Sequence, residues 1–375
     1  MNNAINNENK KLNVPNLRFK EFQGEWEYFL INDVCSEFKS GKNIKADSVF
    51  ECGEYPVYGG NGLRGYTSSY NHEGSYVLIG RQGALCGNVR SVYGKTYITE
   101  HAIAVAGNEK SNTNFLHYLF LKMNLGQYSD QSAQPGLAVN KLLKLKVALP
   151  IISEQTKIAK FLSLLDERIA TQSKIIEKMQ TLIKGIVDST ILRKEKNAIV
   201  GDVCSISEQI RAEANIDDII TVRLHGNGVC KSSAENLQLG ATQYYRRRAG
   251  QLIYGKQNFH NGAIGIVPIS LDNGITSKDI PSFDIDEMKC NSVYLLAQLQ
   301  SPQYYKPAEA LTTGTGSKRL KEETFLKMPI VLPNKREQDN IATLIISISA
   351  NLDQAKKMLD LFSIQKQYLL RQMFI

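Results

Sequence analysis

The sequence predicts an α+β fold in which two mixed, strand-rich domains are separated by two long antiparallel helices forming a coiled coil. Three observations predict it. Pro150-Ile151-Ile152-Ser153-Glu154-Gln155 returns 183 residues later as Pro333-Asn334-Lys335-Arg336-Glu337-Gln338. Each copy opens a long heptad pattern. The stretches before each copy are short Val/Ile/Tyr runs broken by Gly, Asn and Pro, the signature of strands and turns.

The heptad pattern fixes the helices. In the first copy the repeat runs through Ile158, Leu162, Leu165, Ile169, Gln172, Ile176, Met179, Ile183, Ile186 and Thr190. Adding 183 gives Ile341, Ile345, Ile348, Leu352, Ala355, Leu359, Phe362, Lys366, Leu369 and Met373. Steps of four and three, sustained for more than four heptads, mark a seam that faces a partner helix. Neither segment contains proline after its start, and Gly185 is their only glycine. Ser153 and Glu154 suit a helix start, and Asn334 suits a cap with Glu337 three residues on. About forty residues at ~1.5 Å each make a rod of roughly 60 Å. Such a rod cannot bury its seam alone. Either the two rods pack on each other, the simpler solution, or each packs on its own domain.

The order is therefore a flexible N-terminal tail (1–15), a first domain (16–150), a central helix (151–197), a second domain (198–330) and a C-terminal helix (331–375). Short helices are expected near Asn114–Asn124 and Ser292–Gln300. The domains echo each other loosely. Ile31-Asn32-Asp33-Val34-Cys35-Ser36 resembles Val200-Gly201-Asp202-Val203-Cys204-Ser205, and Gly74 to Arg81 resembles Gly250 to Lys256. A duplicated scaffold with divergent domains suits one task performed on two different ligands.

Composition narrows the class. The 375 residues carry 45 basic and 37 acidic side chains, and no stretch reaches the length of a membrane span. The Asn-rich start lacks the apolar segment of a secretory signal, so a cytoplasmic protein is expected. The six cysteines form no CxxC and the five histidines are scattered. No metal site and no disulfide framework is expected, only free, mostly buried thiols. The basic excess is thinly spread, as on a large surface that touches phosphates.

Several motifs invite chemistry and fail its requirements. Gly60-Asn61-Gly62-Leu63-Arg64-Gly65 spells GxGxxG, but no helix start follows and no acid stands twenty residues on. It reads better as a tight loop, either an ordinary hairpin turn or one bringing Asn61 and Arg64 to a duplex with Tyr58, Tyr66 and Lys42. Gly250 to Gln257 nearly spells a P-loop, but Gln257 replaces the Ser or Thr that holds magnesium. Lys256, Gln257, Asn258, His260 and Asn261 instead make a polar cluster at a strand end, and Arg81-Gln82 sits at the equivalent place in the first domain. These are residue types that read base edges, or simply solvated loops. Tyr245, Arg246 and Arg247 lie in the densest basic and aromatic run. Three consecutive arginines cannot all point one way on a strand. Thr315, Ser317, Lys318 and Arg319 form a candidate phosphate grip, with Gln134 at its counterpart. Asp284 with Glu287-Met288-Lys289 is spaced too tightly for a nuclease centre. The Asn/Asp-Pro-Pro-aromatic signature of amino-methyltransferases and the GxSxG elbow are both missing, so no catalytic residues are expected.

At this point the pattern resembles a known family. Leu17-Arg18-Phe19 with Gly24-Glu25-Trp26-Glu27 and Tyr55-Pro56-Val57-Tyr58-Gly59-Gly60-Asn61-Gly62 look like the specificity subunits of type I restriction–modification systems. So do the paired helix openings Leu149-Pro150, Glu154-Gln155, Ile158-Ala159 and Leu332-Pro333, Glu337-Gln338, Ile341-Ala342. The resemblance covers almost the whole chain from about residue 15. It implies two target-recognition domains, each binding half of a bipartite, asymmetric site on double-stranded DNA, with the helices as a ruler. It also implies docking of two methyltransferase subunits, which bind S-adenosylmethionine and flip an adenine. Two restriction–translocase subunits using ATP and magnesium would join them, leaving this chain non-catalytic and without a cofactor. The alternative is a coiled-coil interaction scaffold with two peptide-binding domains.

Overall fold

A computed structural model describes residues 13–130, 135–232, 242–314 and 318–375. In chain order the elements are β1 (Glu27–Leu30), α1 (Ile31–Val34), β2 (Cys35–Ser40), β3 (Tyr55–Gly59), β4 (Gly62–Thr67), β5 (His72–Gly80), β6 (Val89–Ile98), β7 (Ala102–Gly107), α2 (Thr113–Met123), α3 (Val139–Leu142), β8 (Lys146–Leu149) and α4 (Ile152–Val187). Then come β9 (Ala198–Ile199), β10 (Cys204–Ile206), β11 (Arg211–Ala212), β12 (Ile220–Val222), β13 (Val229–Lys231), β14 (Tyr244–Arg246), β15 (Leu252–Tyr254), β16 (Ile264–Ile266), β17 (Ile275–Ser277), β18 (Ser282–Ile285), α5 (Ser292–Leu299), α6 (Pro302–Tyr305), α7 (Glu322–Leu326), β19 (Pro329–Ile330) and α8 (Lys335–Gln372).

The chain forms two compact units, one holding residues to Gln172 with Met358–Ile375, the other Ser173–Lys357. Both long helices are therefore divided between the units. In the first, a six-stranded sheet runs in the order β2-β7-β5-β6-β3-β4, and β1 pairs with β8. Its core joins Ile158, Ala159, Leu162 and Leu165 from the start of α4 to Leu369, Met373 and Phe374 at the end of α8. In the second, β10-β18-β15-β16 and β11-β14-β17 are the larger sheets. Its core joins Val187, at the other end of α4, and Ile191 just beyond it to Ile341, Ala342 and Ile345 at the start of α8. In each unit the start of one helix meets the end of the other, which is antiparallel pairing. Each start also packs into its own domain, so both packing arrangements expected from the sequence operate together. Every seam position is buried or half-buried, while Phe161, Leu164, Leu182, Leu344, Leu361 and Ile364, off the seam, are exposed.

The repeated Pro…Gln motif mounts each domain on its helix. Gln155 Oε1 accepts from the Asn112 backbone N–H at 2.8 Å, and its Nε2 donates to the carbonyls of Lys110 and Pro150 at 2.9 and 2.8 Å. Gln338 repeats the arrangement with Asn291 N–H, Lys289 O and Pro333 O at 2.9, 3.1 and 2.8 Å. Both glutamines are 0% exposed. Asn112 and Asn291 in turn cap α2 and α5 with their side chains. These two helices match the ones expected locally.

Some boundaries move. The expected tail ends sooner, because Asn13 O accepts from Trp26 N–H at 2.8 Å and Pro15 is buried; residues 1–12 lie outside the described residues. The central helix stops before 197, passing through a wider π turn at Asp188–Leu192. Asn197 then makes a reciprocal pair with the Leu332 backbone at 2.7 and 2.9 Å, which anchors it to the second domain's exit. Glu154 does more than start a helix. It is buried and takes a two-pronged hydrogen bond from Arg18, both contacts 2.7 Å. All six cysteines are free: Cys204 and Cys290 buried, Cys35, Cys86 and Cys230 half-buried, Cys52 exposed. Burial pushes the thiols of Cys35, Cys204 and Cys290 up to about 12, which keeps them from acting as thiolates.

Candidate nucleic-acid interface

In the first unit the glycine loop is the turn between β3 and β4. A Cβ on Gly60 would stand 2.7 Å from His101 O and 3.3 Å from Gly80 Cα, too close for any side chain. The turn therefore lies directly on the place where β5 ends and Arg81 begins. Gly59 leaves room for the Arg64 stem, and the Arg90 guanidinium lies 3.0 Å from where a Gly62 Cβ would be. Lys42 reaches the same place through Lys42 N–H to Ile98 O and Gly41 N–H to Ala102 O, both 3.0 Å. The backbones at Lys42, Asn61, Arg64 and Arg81 thus come together, and Gln82 follows, its backbone bridged to Gly136. Arg90 and His101 join them. Sequence reasoning missed both, because each is a lone residue brought in by a strand distant in sequence.

Two expected members stand apart. Tyr58 packs with Tyr76 on Leu78, Val92 and Ile98, so it supports the sheet. Tyr66 sits at the far end of β4 from the turn, its backbone paired with Phe50 at 2.8 Å in both directions.

The second unit repeats the position with different neighbours. Arg81 N–H donates to His101 O and Arg81 O accepts from Leu137 N–H, both at 2.9 Å; Lys256 makes the same two bonds, to Asp279 O and from Leu320 N–H, both at 2.9 Å. Gln257 and Asn258 follow Lys256 in exposed positions, and His260 and Asn261 lie half-buried in the next turn. Here the cations are matched by acids. Lys256 Nζ lies 2.7 Å from Glu322, Arg319 3.2 Å from Asp279 and Lys318 3.5 Å from Glu309. Gln134, Thr315 and Ser317, also expected at the interface, lie outside the described residues.

The arginine run is separated from this cluster. It precedes β15 and Lys256 follows it, so the two occupy opposite ends of that strand. Arg246 is exposed and lines a cavity of about 420 Å³ with Arg248, Glu208, Asp284 and Glu287. Tyr245 is half-buried, with the Arg247 guanidinium 5.7 Å from its ring centre. Arg247 corrects the sequence reading. It is 0% exposed and donates to Thr276 Oγ1, Ser282 Oγ and Ile280 O at 2.7, 2.9 and 2.9 Å, so it cannot reach a phosphate. Arg247 follows the end of β14, where its backbone N–H bonds Gly274 O at 2.7 Å and its side chain turns inward. Burial lowers its pKa to about 10, leaving it charged at neutral pH.

Residues 23–181 match the family model described as the type I restriction modification DNA specificity domain. That part of the chain is similar to the specificity domain of type I restriction–modification systems. It is 42% identical over 204 residues to the type I restriction enzyme EcoprrI specificity subunit of Escherichia coli, a match covering 52% of this chain and 47% of that one. The chain thus spans about half the length of that relative. It is 23% identical to the MjaVIII specificity subunit of Methanocaldococcus jannaschii over 90% of each chain. The crystal structure of a type I specificity subunit from Mycoplasma genitalium superposes with a TM-score of 0.70 at 14% identity, covering 96% of this chain and 99% of that one. That likeness concerns the fold, with its two strand-rich domains and long helices. Among the described residues, no cluster of His, Cys, Asp or Glu is placed to hold a metal ion, and no helix is long and apolar enough to cross a membrane.

Proposed function

We propose that this chain selects the DNA site of a type I restriction–modification complex, each strand-rich domain binding one half of a bipartite, asymmetric sequence. The observation that carries the reading is the pair of equivalent strand ends at Arg81 and Lys256, set in the same backbone hydrogen bonds but among different side chains. A shared mount with divergent contacts is what two readers of unlike half-sites require. Backbone amides and cations at such loops position a duplex, and Asn, Gln and Arg side chains discriminate bases. The helices, 36 and 38 residues long, are the element that would set the spacer. Methyltransferase and restriction subunits would dock on this chain and supply the chemistry, with S-adenosylmethionine, ATP and magnesium held by them.

The test is methylation-sensitive genome sequencing of a host carrying the complex. Replacing residues 198–330 with those of another family member should change one half of the methylated motif and spare the other. Removing one heptad from both helices should change only the spacer. A motif that changes in both halves after the domain exchange would refute the assignment of one half-site to each domain.

A further inference from the structure

Arg81 and Lys256 occupy the same backbone position, yet their surroundings differ in charge. Around Arg81 stand Lys42, Arg64 and Arg90, and among the described residues none of these four cations lies in an ion pair. The carboxylates nearby are engaged elsewhere: Glu100 faces His101 at 3.2 Å and Asp130 pairs with Lys141 at 2.6 Å. Around Lys256 three cations have an acid each: Glu322, Asp279 and Glu309 answer Lys256, Arg319 and Lys318, while the exposed Lys278 and Lys321 at the margin have none among the described residues. The Lys256–Glu322 pair is also sheltered, its side chains 11% and 27% exposed, so solvent screens it less than its neighbours.

We infer that the two recognition domains hold DNA by different means: the first through unpaired cations that displace counterions from phosphates, the second through a strand end whose central cations are already held by acids and that relies on Gln257, Asn258, His260 and Asn261. This rests on the DNA-specificity function proposed above. A lysine already 2.7 Å from a carboxylate neutralises little phosphate charge unless that pair breaks. Glu322, Asp279 and Glu309 would also repel phosphates that approach without matching hydrogen bonds. Such acids weaken binding to any sequence, which raises the share of binding that depends on the right bases. The first domain then supplies most of the sequence-independent grip, and the second tolerates fewer mistakes.

Salt dependence of binding measures this directly. Each phosphate neutralised by a cation contributes about 0.9 to the slope of log K against log salt. The full chain, assembled with its methyltransferase partners, is titrated against a random-sequence duplex over a range of salt. Circular dichroism confirms that each variant is folded. Substituting Arg64, Arg81 and Arg90 together by Gln should lower the slope by about 2.7, three contacts at ~0.9 each. Substituting Lys256, Lys318 and Arg319 together by Gln should lower it by less than about 1. Glu322→Gln, which frees Lys256, should steepen the slope by up to about 0.9. Equal losses from the two triple variants, or a slope unmoved by Glu322→Gln, overturn the inference. No duplex binding by the unsubstituted complex would instead overturn the DNA-binding function, and this inference with it.

Discussion

Gln155→Leu is the most informative single change in the fold. Leucine keeps most of the glutamine's volume, so packing in the buried pocket is little disturbed. Three polar groups lose their partner: Asn112 N–H, Lys110 O and Pro150 O. At a net cost of about 1 kcal/mol per buried hydrogen bond, the loss is roughly 3 kcal/mol, and more if water cannot reach the orphaned groups. The chain provides its own reporter. Trp26 is the only tryptophan, is 2% exposed, and lies 6.0 Å from Phe115 in the helix that Asn112 caps. Urea unfolding followed by its fluorescence should show the midpoint falling by about 1 M, given a slope of roughly 2–3 kcal/mol per molar for a unit of this size. Gln338→Leu acts on the other unit and should move the same signal less. If Gln155→Leu unfolds at the unsubstituted midpoint, the hydrogen bonds do not hold the domain to its helix and the mounting argument fails.

Three further outcomes are expected. Gly60→Val places carbon within 2.7 Å of His101 O, so the β3–β4 turn must lift from Arg81; duplex affinity should fall at least tenfold, and thermal stability should fall too, because backbone must give way. Burial, reinforced by Lys366 and opposed by Asp166, holds the His117 pKa down at about 4 against an ordinary 6.5. The unfolded chain then binds more protons, so stability is complete above pH 6.5 and declines by up to about 3 kcal/mol as pH falls to 4; His117→Phe should flatten that limb of a pH series of urea midpoints. Arg247→Lys keeps the charge but loses the fork that spans Ser282 and Ile280, and should lower stability by about 2–3 kcal/mol in thermal denaturation.

The long helices were legible because their signal is local. A period of three and four residues needs no knowledge of the partner, and the seam at Ile158 through Ile186 and Ile341 through Leu369 is the face turned inward. The glutamines at the helix starts stood out as a repeated motif, but their task did not, because their partners lie 43 and 47 residues away. The site was legible in proportion to its glycines. Gly59 to Gly62 announced a close approach and drew Asn61 and Arg64 to it, while Arg81 was singled out separately as the counterpart of Lys256. Arg90 and His101 carry no such mark, since only the sheet brings them to the turn. Arg247 looked like its neighbours and differs from them only in facing Thr276, 29 residues on.

The duplication has diverged unevenly, and the unevenness separates support from recognition. Gln155 and Gln338 keep the same three hydrogen bonds to the same three kinds of backbone group. Arg81 and Lys256 keep their backbone bonds but exchange every side-chain neighbour. A residue that only had to brace the loop would be free to stay alike in both copies, as the glutamines did. Arginine stands in one copy and lysine in the other, and the cation is unpaired in the first but paired with Glu322 in the second. Change confined to side chains on an unchanged backbone mount is what two different ligands would impose, and it makes this pair of strand ends the first place to test the proposed reading of two half-sites.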